Sequence, residues 1–359
     1  MKIAYITDVV YPFVMGGAEK RIFEMGRRLA AQHEVHVFGM KWWKGAKDIE
    51  MDGMTLHGIC KPSHLYAGDR RSIAQALRFA SSLRPILRYD LDVIDCSQFP
   101  YLHCFPTRAF STLRDMPFVI TWHEFWGEYW HQYLGRLGVF GELTEKTAVK
   151  LADQIIAVSK STQEKLAGLA KAVTLVPNGA DIKWIDSVEP SERSFDVLFV
   201  GRLIPEKNVD ILMQAVPAGM TVGVVGDGPE EKKLTALSRE LNVSATFISS
   251  LRYEELIGVI KAANALVLPS NREGFGIVAL EALACGTPVI TSSAKNNAAQ
   301  DLVDHGVNGF VVDPVPEAIK DALLCADKER MSLAARESAA HYDWNDLCKK
   351  LCAVYHSLT

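Results

Sequence analysis

Two glutamates and two cations carry most of the chemistry legible in this sequence. In "NREGFGIVALEALACGTPVI", from Asn271 to Ile290, Glu273 and Glu281 stand eight positions apart. The apolar run after Gly276 reads as a helix that stops at Gly286, just before Pro288. Such a helix aims its dipole and the free N–H groups near Gly274, Phe275, Gly276, Ile277 and Val278 at whatever lies before it, which makes a seat for an anion. Glu273 lies outside the helix and can face the same ligand from the loop. Glu281 sits inside it, among Val278, Ala279, Leu280, Ala282 and Leu283, and a carboxylate so placed needs a partner. The vicinal hydroxyls of a ribose would serve, and so would a structural donor.

The cations come earlier, in "VLFVGRLIPEKNVDILMQAV". A buried strand ends at Gly201, and Arg202 and Lys207 precede a helix beginning near Asn208, a good N-cap residue. A forked donor and a point charge at a strand's carboxyl end suit a diphosphate. Two surface charges after a turn would show the same spacing.

These residues need a scaffold, and the chain supplies strand–helix alternation twice. "KIAYI", "EVHVFG", "DVIDC", "PFVITW" and "QIIAVS" read as strands of the first half. "GAEKRIFEMGRRLAAQ" and "SIAQALRFASSLRPIL" read as helices, the second closing near Pro85. The polar stretch "DSVEPSERS" is the best linker signal. After it "FDVLFVG", "TVGVVGDG", "ATFIS", "ALVLPS", "PVITSS" and "GFVVD" start the alternation again. At 359 residues, two domains are expected. The expectation is an α/β protein of two Rossmann-like domains facing across a cleft, with ligands beyond the strands' carboxyl ends.

Glu273-x7-Glu281, together with "GGAEK", "VPNGAD", "VGRLIPEKN", "VVGDGP", "EGFGIVALEALACGTPVI" and "GVNGFVVDP", resembles the retaining GT-B glycosyltransferases of family 4, over nearly the whole chain. The resemblance implies domains at 1–180 (acceptor), 181–340 (nucleotide-sugar) and a helix over 341–359 crossing back to the first. It implies that Arg202 and Lys207 neutralise the donor diphosphate, Glu281 binds the ribose, and Glu273 binds the sugar and stabilises its cationic transition state. Gly16 and Gly17 match a loop approaching the donor phosphate, His123 a histidine at the sugar's reacting face, and Leu251 a backbone contact to the base. Asn178 and Asp181 match a structural turn. The chain departs from the pattern after "PVITSS", where "AKNNAAQDLV" lacks the family's glycine-rich turn, so the sugar contacts there stay open. No cofactor and no metal are implied; the "DLD" triplet at Asp90–Asp92 only imitates a metal motif. The implied mechanism is same-face transfer from a UDP- or GDP-sugar, the leaving phosphate taking the acceptor's proton.

The acceptor side rests on "WHEFWGEYWHQYLGRLG", where Trp122, Trp126 and Trp130 recur every four residues. They read either as a packed helix or as an aromatic wall for a sugar or lipid acceptor. Residues 1–180 hold 22 Lys+Arg against 18 Asp+Glu, and residues 181–359 hold 17 against 25, giving +4 and −8. With "KWWKGAK" and "HLYAGDRRS" in the positive half, an anionic membrane surface is an expected partner beside a lipid-linked or oligosaccharide acceptor. Nucleic acid is not, at a net charge of −4. No apolar run reaches the ~18 residues of a membrane span. The start "MKIAYITDVVYP" reads as a strand rather than a signal peptide, and seven scattered cysteines suit a reducing compartment, so the expected location is cytoplasmic or peripheral on the inner membrane face. Cys348 and Cys352 share a helix face without a second ligand pair, which favours packing over a metal site. Two rival readings are a soluble-acceptor synthase of the sucrose-phosphate or trehalose type and a non-catalytic two-domain sugar-binding protein.

Overall fold

A computed structural model describes residues 1–67 and 70–359 of the chain. These form two compact units, Met1–Pro177 with Trp344–Thr359, and Asn178–Asp343. The first holds β1 (Lys2–Ile6), β2 (Glu34–Met40), β3 (Asp48–Met51), β4 (Met54–Cys60), β5 (Tyr66–Ala67), β6 (Arg70–Arg71), β7 (Val93–Ser97), β8 (Phe118–Trp122), β9 (Gln154–Ala157) and β10 (Val173–Leu175). Among the described residues, eight of them make one sheet in the order β10-β9-β8-β7-β1-β2-β4-β3, parallel except for β3. Strands β7 and β8 are buried along their whole length, as apolar runs covered on both faces should be. One core holds Phe79, Tyr101 and Trp122; the other holds Ile22, Met25 and Leu29.

The last helix, Trp344–His356, belongs to this first unit. It buries Trp344, Leu347, Cys348, Leu351 and Tyr355, a helix-period stripe, against the helix Gly17–Leu29. Each large apolar side chain so buried contributes roughly 1.5–3 kcal/mol.

The second unit holds β11 (Val197–Val200), β12 (Thr221–Val225), β13 (Ser244–Ile248), β14 (Ala265–Leu268), β15 (Arg272–Glu273), β16 (Val289–Ser292), β17 (Asn296–Asn297) and β18 (Gly309–Val312). Among the described residues, six form a parallel sheet in the order β13-β12-β11-β14-β16-β18. The order reverses between β11 and β14, the switch point at which such sheets bind ligands.

Three local expectations are corrected, and one element went unread. The polar stretch "DSVEPSERS" is no linker: Lys261 Nζ donates to the Asp186 and Val188 carbonyls, and Ser191 N donates to Gly258 O, fixing it to the second unit. Asn208 does not cap its helix, Val209–Ala215, with its side chain; it sits in the left-handed region and donates to Pro269 O instead. The helix Ile73–Ser81 ends before Pro85, which lies in a separate 3-10 turn. The β3–β4 hairpin was not read from the sequence, although its two-residue turn, Asp52–Gly53, is a strong hairpin signal.

Candidate functional site

In the second unit the implied donor residues gather at the carboxyl edge of the sheet, around the β11/β14 switch point. Gly201, Arg202 and Lys207 follow β11, Leu251 follows β13, and Glu273 follows β14. The loops after β11 and β14 are sewn together: Asn271 N donates to Glu206 O at 2.9 Å, and Asn208 Nδ2 donates to Pro269 O at 2.9 Å. That stitching brings Lys207 Nζ to 2.5 Å from Glu273 Oε1, which also accepts from Ser270 Oγ at 3.0 Å. Both charged side chains are 16% exposed, so the pair is screened by little water. Arg202 lies earlier in the same loop after β11.

Gly274, Phe275 and Gly276 lead into the helix Ile277–Ala284. Gly276 has a φ of 89°, and a Cβ there would come within 2.6 Å of the Ala299 Cβ, so only glycine opens this helix unstrained. Gly274, Ile277 and Val278 stay half-exposed, while Phe275 is buried against Tyr342. Ala299 belongs to the glycine-poor stretch "AKNNAAQDLV". There Asn297 is fully buried, its Nδ2 donating to Thr291 Oγ1 and Ser292 O and its Oδ1 accepting from Ala299 N. Asn297 thereby holds β17 in parallel register with β15, which carries Glu273. The stretch is a brace for Glu273.

Glu281 is 2% exposed and accepts from Tyr253 Oη at 2.8 Å. Tyr253 in turn stacks on Trp184, ring planes 7° apart at 4.8 Å. Sequence reading missed both aromatic residues, since they lie on helices with no link to the glutamate motif. Burial, then Glu281, pushes the nearby Cys285 thiol up to about 12, so it stays protonated.

In the first unit, Gly16 and Gly17 open the helix Gly17–Leu29 after β1 and are exposed. His123 follows β8, its backbone N–H donating to Gln98 Oε1 at 3.0 Å. Its Nε2 is buried with no hydrogen-bond partner among the described residues. Desolvation, then the charge of Arg21, drives its pKa down to about 3, so the ring is neutral. Tyr5, Arg21, Asp95, Ser97 and Thr121 line the same pocket. Asp95 accepts from Thr121 Oγ1 and from Tyr355 Oη of the last helix. Asp90 and Asp92 lie at the opposite, amino edge of the sheet and pair with Lys2.

The tryptophan reading is corrected. Trp122 ends a central strand and is fully buried, Trp126 is half-buried in a turn, and Trp130 is buried in the helix Tyr129–Leu134. They share no helix, and Trp122 and Trp130 are core side chains rather than a wall. What organises them is Glu145, which sequence reading missed. Its buried carboxylate accepts from Trp126 N, Gly127 N, Trp130 Nε1 and Tyr101 Oη, all at 2.7–3.1 Å. Burial still raises its pKa. The basic segments are corrected too. Trp43 is buried, Trp42 Nε1 donates to Asp8 O, and Arg71 forms an ion pair with the buried Asp8, so the tryptophans and Arg71 are engaged within the fold while Lys44 and Arg70 stay exposed. Gly68 and Asp69 of "GDRR" lie outside the described residues.

Residues 15–184 match the family described as Glycosyltransferase Family 4, and residues 181–340 match Glycosyl transferases group 1. The glycogen synthase of Mycobacterium tuberculosis is 26% identical over 393 residues, covering 99% of this chain and 94% of that protein. The D-inositol 3-phosphate glycosyltransferase of Corynebacterium urealyticum is 36% identical over 181 residues, 45% of this chain and 42% of its own. Sucrose-phosphate synthase from Thermosynechococcus elongatus shares the fold at a TM-score of 0.80 and 23% identity, covering 99% of this chain and 98% of its own. Anabaena HepE in complex with UDP-glucose shares it at 0.76 and 19%, with full coverage of both chains. The two family matches together span residues 15–340, and with these neighbours they make the chain a glycosyltransferase of family 4 with the GT-B fold.

Proposed function

We propose that this glycosyltransferase moves a sugar from a UDP- or GDP-sugar to a hydroxyl of a lipid-linked or glycan acceptor, with retention of configuration and without a metal. One observation carries the reading: Lys207 and Glu273 meet at 2.5 Å at the sheet's switch point, beside the first turn of the helix Ile277–Ala284. In this proposal Lys207, Arg202 and that helix end take the diphosphate, whose charge grows as the sugar leaves. Glu273, with Ser270 and the Asn297 brace behind it, faces the sugar hydroxyls and the positive charge developing on the ring. Glu281 takes the ribose while Tyr253 holds its other face. Neutral His123 and the loop at Gly16–Gly17, both in the first unit, are carried over from the family resemblance as contacts to a sugar and its phosphate. That the neighbouring fold of HepE holds UDP-glucose supports the donor class.

An exposed apolar face supports the lipid-linked acceptor. Leu137, Val139, Phe140 and Leu143 are each more than half exposed, on and before the helix Gly138–Val149. Exposed Arg136 and Lys150 flank them. Apolar side chains ringed by cations suit an anionic bilayer. The test of the reaction is turnover of UDP- and GDP-sugars in EDTA, with the anomeric configuration of the first product read by NMR. Retention is expected; an inverted product, or turnover that vanishes with EDTA, overturns the proposal.

A further inference from the structure

The last helix carries a feature that sugar transfer does not use. On its outer side Cys352 and His356 lie four residues apart, one helical turn, so both side chains point the same way. His33, from the turn between the helix Gly17–Leu29 and β2, meets them there. Its Nε2 is 3.3 Å from Cys352 Sγ, and its ring stands 5.9 Å from that of His356 at 70°. One ligand atom from each of the three falls within 4.8 Å of the others.

We propose that His33, Cys352 and His356 form a binding site for a divalent transition metal, zinc above all, that ties the last helix to the turn before β2. The His33–Cys352 edge fits a tetrahedral ion. Zn–S near 2.3 Å and Zn–N near 2.0–2.1 Å place sulfur and nitrogen about 3.5 Å apart. The His33–Cys352 spacing is already 3.3 Å. Two imidazoles and a thiolate select borderline-soft ions over magnesium or calcium, which want oxygen. The three protein ligands leave a fourth position for water.

The platform is rigid. Leu351 and Tyr355, on the inner side of the helix, are buried, Cys348 Sγ donates to Met25 O, and Arg28 Nε donates to Asn345 Oδ1. The His33 backbone N–H is held by Leu29 O at 2.9 Å. Cys352 is half-buried and His356 exposed, so an ion can enter. On binding, the thiol proton leaves to solvent and the sulfur ligates as thiolate.

The test is a titration of the full chain with cobalt(II), followed by zinc displacement. One equivalent should bind with tetrahedral d–d bands and a thiolate-to-cobalt charge-transfer band, and zinc should abolish both. Cys352→Ser should lose the charge-transfer band. His356→Ala, at an exposed position the fold does not depend on, should weaken binding at least about 100-fold, beyond the 10–100-fold cost of losing a group that merely supports a ligand. Cys325→Ser removes the exposed alternative thiol and should change nothing. Zinc should raise the Tm of the wild type and not of Cys352→Ser. A charge-transfer band that survives Cys352→Ser, or no stoichiometric cobalt binding by the wild type, overturns the proposal. Nucleoside diphosphate affinity in EDTA reads the donor site independently.

Discussion

Lys207 and Glu273 neutralise one another at 2.5 Å, and this fixes the direction in which each substitution acts. Lys207→Ala removes a diphosphate donor and leaves a half-buried carboxylate facing the same ligand. Nucleoside diphosphate affinity should fall by roughly 1.5–3 kcal/mol, the scale of a charged hydrogen bond, in a calorimetric titration. Glu273→Ala frees Lys207, so the same titration should show affinity unchanged or tighter while turnover drops sharply. Glu281→Ala should weaken the free nucleotide, because its proposed contact is the ribose. His123 gives a pH signature. Its pKa in the folded chain, about 3, lies below the ordinary histidine value, so between those two pH values only the unfolded chain takes up the proton. The contribution of His123 is therefore complete above roughly pH 6.5 and is lost as pH falls toward 3. Its imidazole resonances should not titrate between about pH 5 and 8, the window in which an ordinary histidine changes charge. A midpoint near neutrality would contradict the burial argument.

At the scale of elements, the loop after β8 depends on Glu145. Glu145→Ala would strand four donors, three of them on the segment that follows His123, and each buried unsatisfied group costs about 1–3 kcal/mol. A loss of about 3 kcal/mol or more in urea unfolding is expected, with turnover reduced even where the chain remains folded. Glu145 also marks where sequence reading ran out. The central strands β1, β7, β8, β11, β12, β14 and β16 were legible because parallel strands covered on both faces are apolar throughout. The Trp122–Trp126–Trp130 spacing misled because period four suggests one helix, while the chain instead runs strand, turn, helix around a buried carboxylate. Nothing local distinguishes Glu145 from a solvated helix glutamate; only the tertiary fold brings its donors. Tyr253 and Asn297 were hidden for the same reason. The β3–β4 hairpin, by contrast, was missed despite its Asp52–Gly53 turn. The cluster around Lys207 and Glu273 was readable because its residues sit in two short stretches of chain at strand ends, whereas the left-handed φ of Gly276 emerges only from the structure.

At the scale of the molecule, charge is divided, +4 in residues 1–180 and −8 in 181–359. Among the described residues no helix is long and apolar enough to cross a membrane. The surface best suited to a bilayer is the Leu137–Leu143 face with Arg136 and Lys150, since it combines exposed apolar side chains with exposed cations. Phe140→Ser with Leu143→Ser should lower binding to anionic vesicles without changing nucleotide affinity. Arg136→Ser should weaken it by about 1 kcal/mol, and added salt should weaken it further. Indifference to anionic vesicles at low salt would favour a soluble acceptor. The most direct measurement for the central claim is calorimetric titration of the full chain with UDP and with GDP in EDTA, repeated on Glu281→Ala. One of the two nucleotides should bind at one per chain without metal, and Glu281→Ala should weaken it by at least about tenfold, near 1.4 kcal/mol. Absence of binding by both nucleotides in EDTA, or an unchanged affinity in Glu281→Ala, would contradict the donor site drawn around Lys207, Glu273 and Glu281.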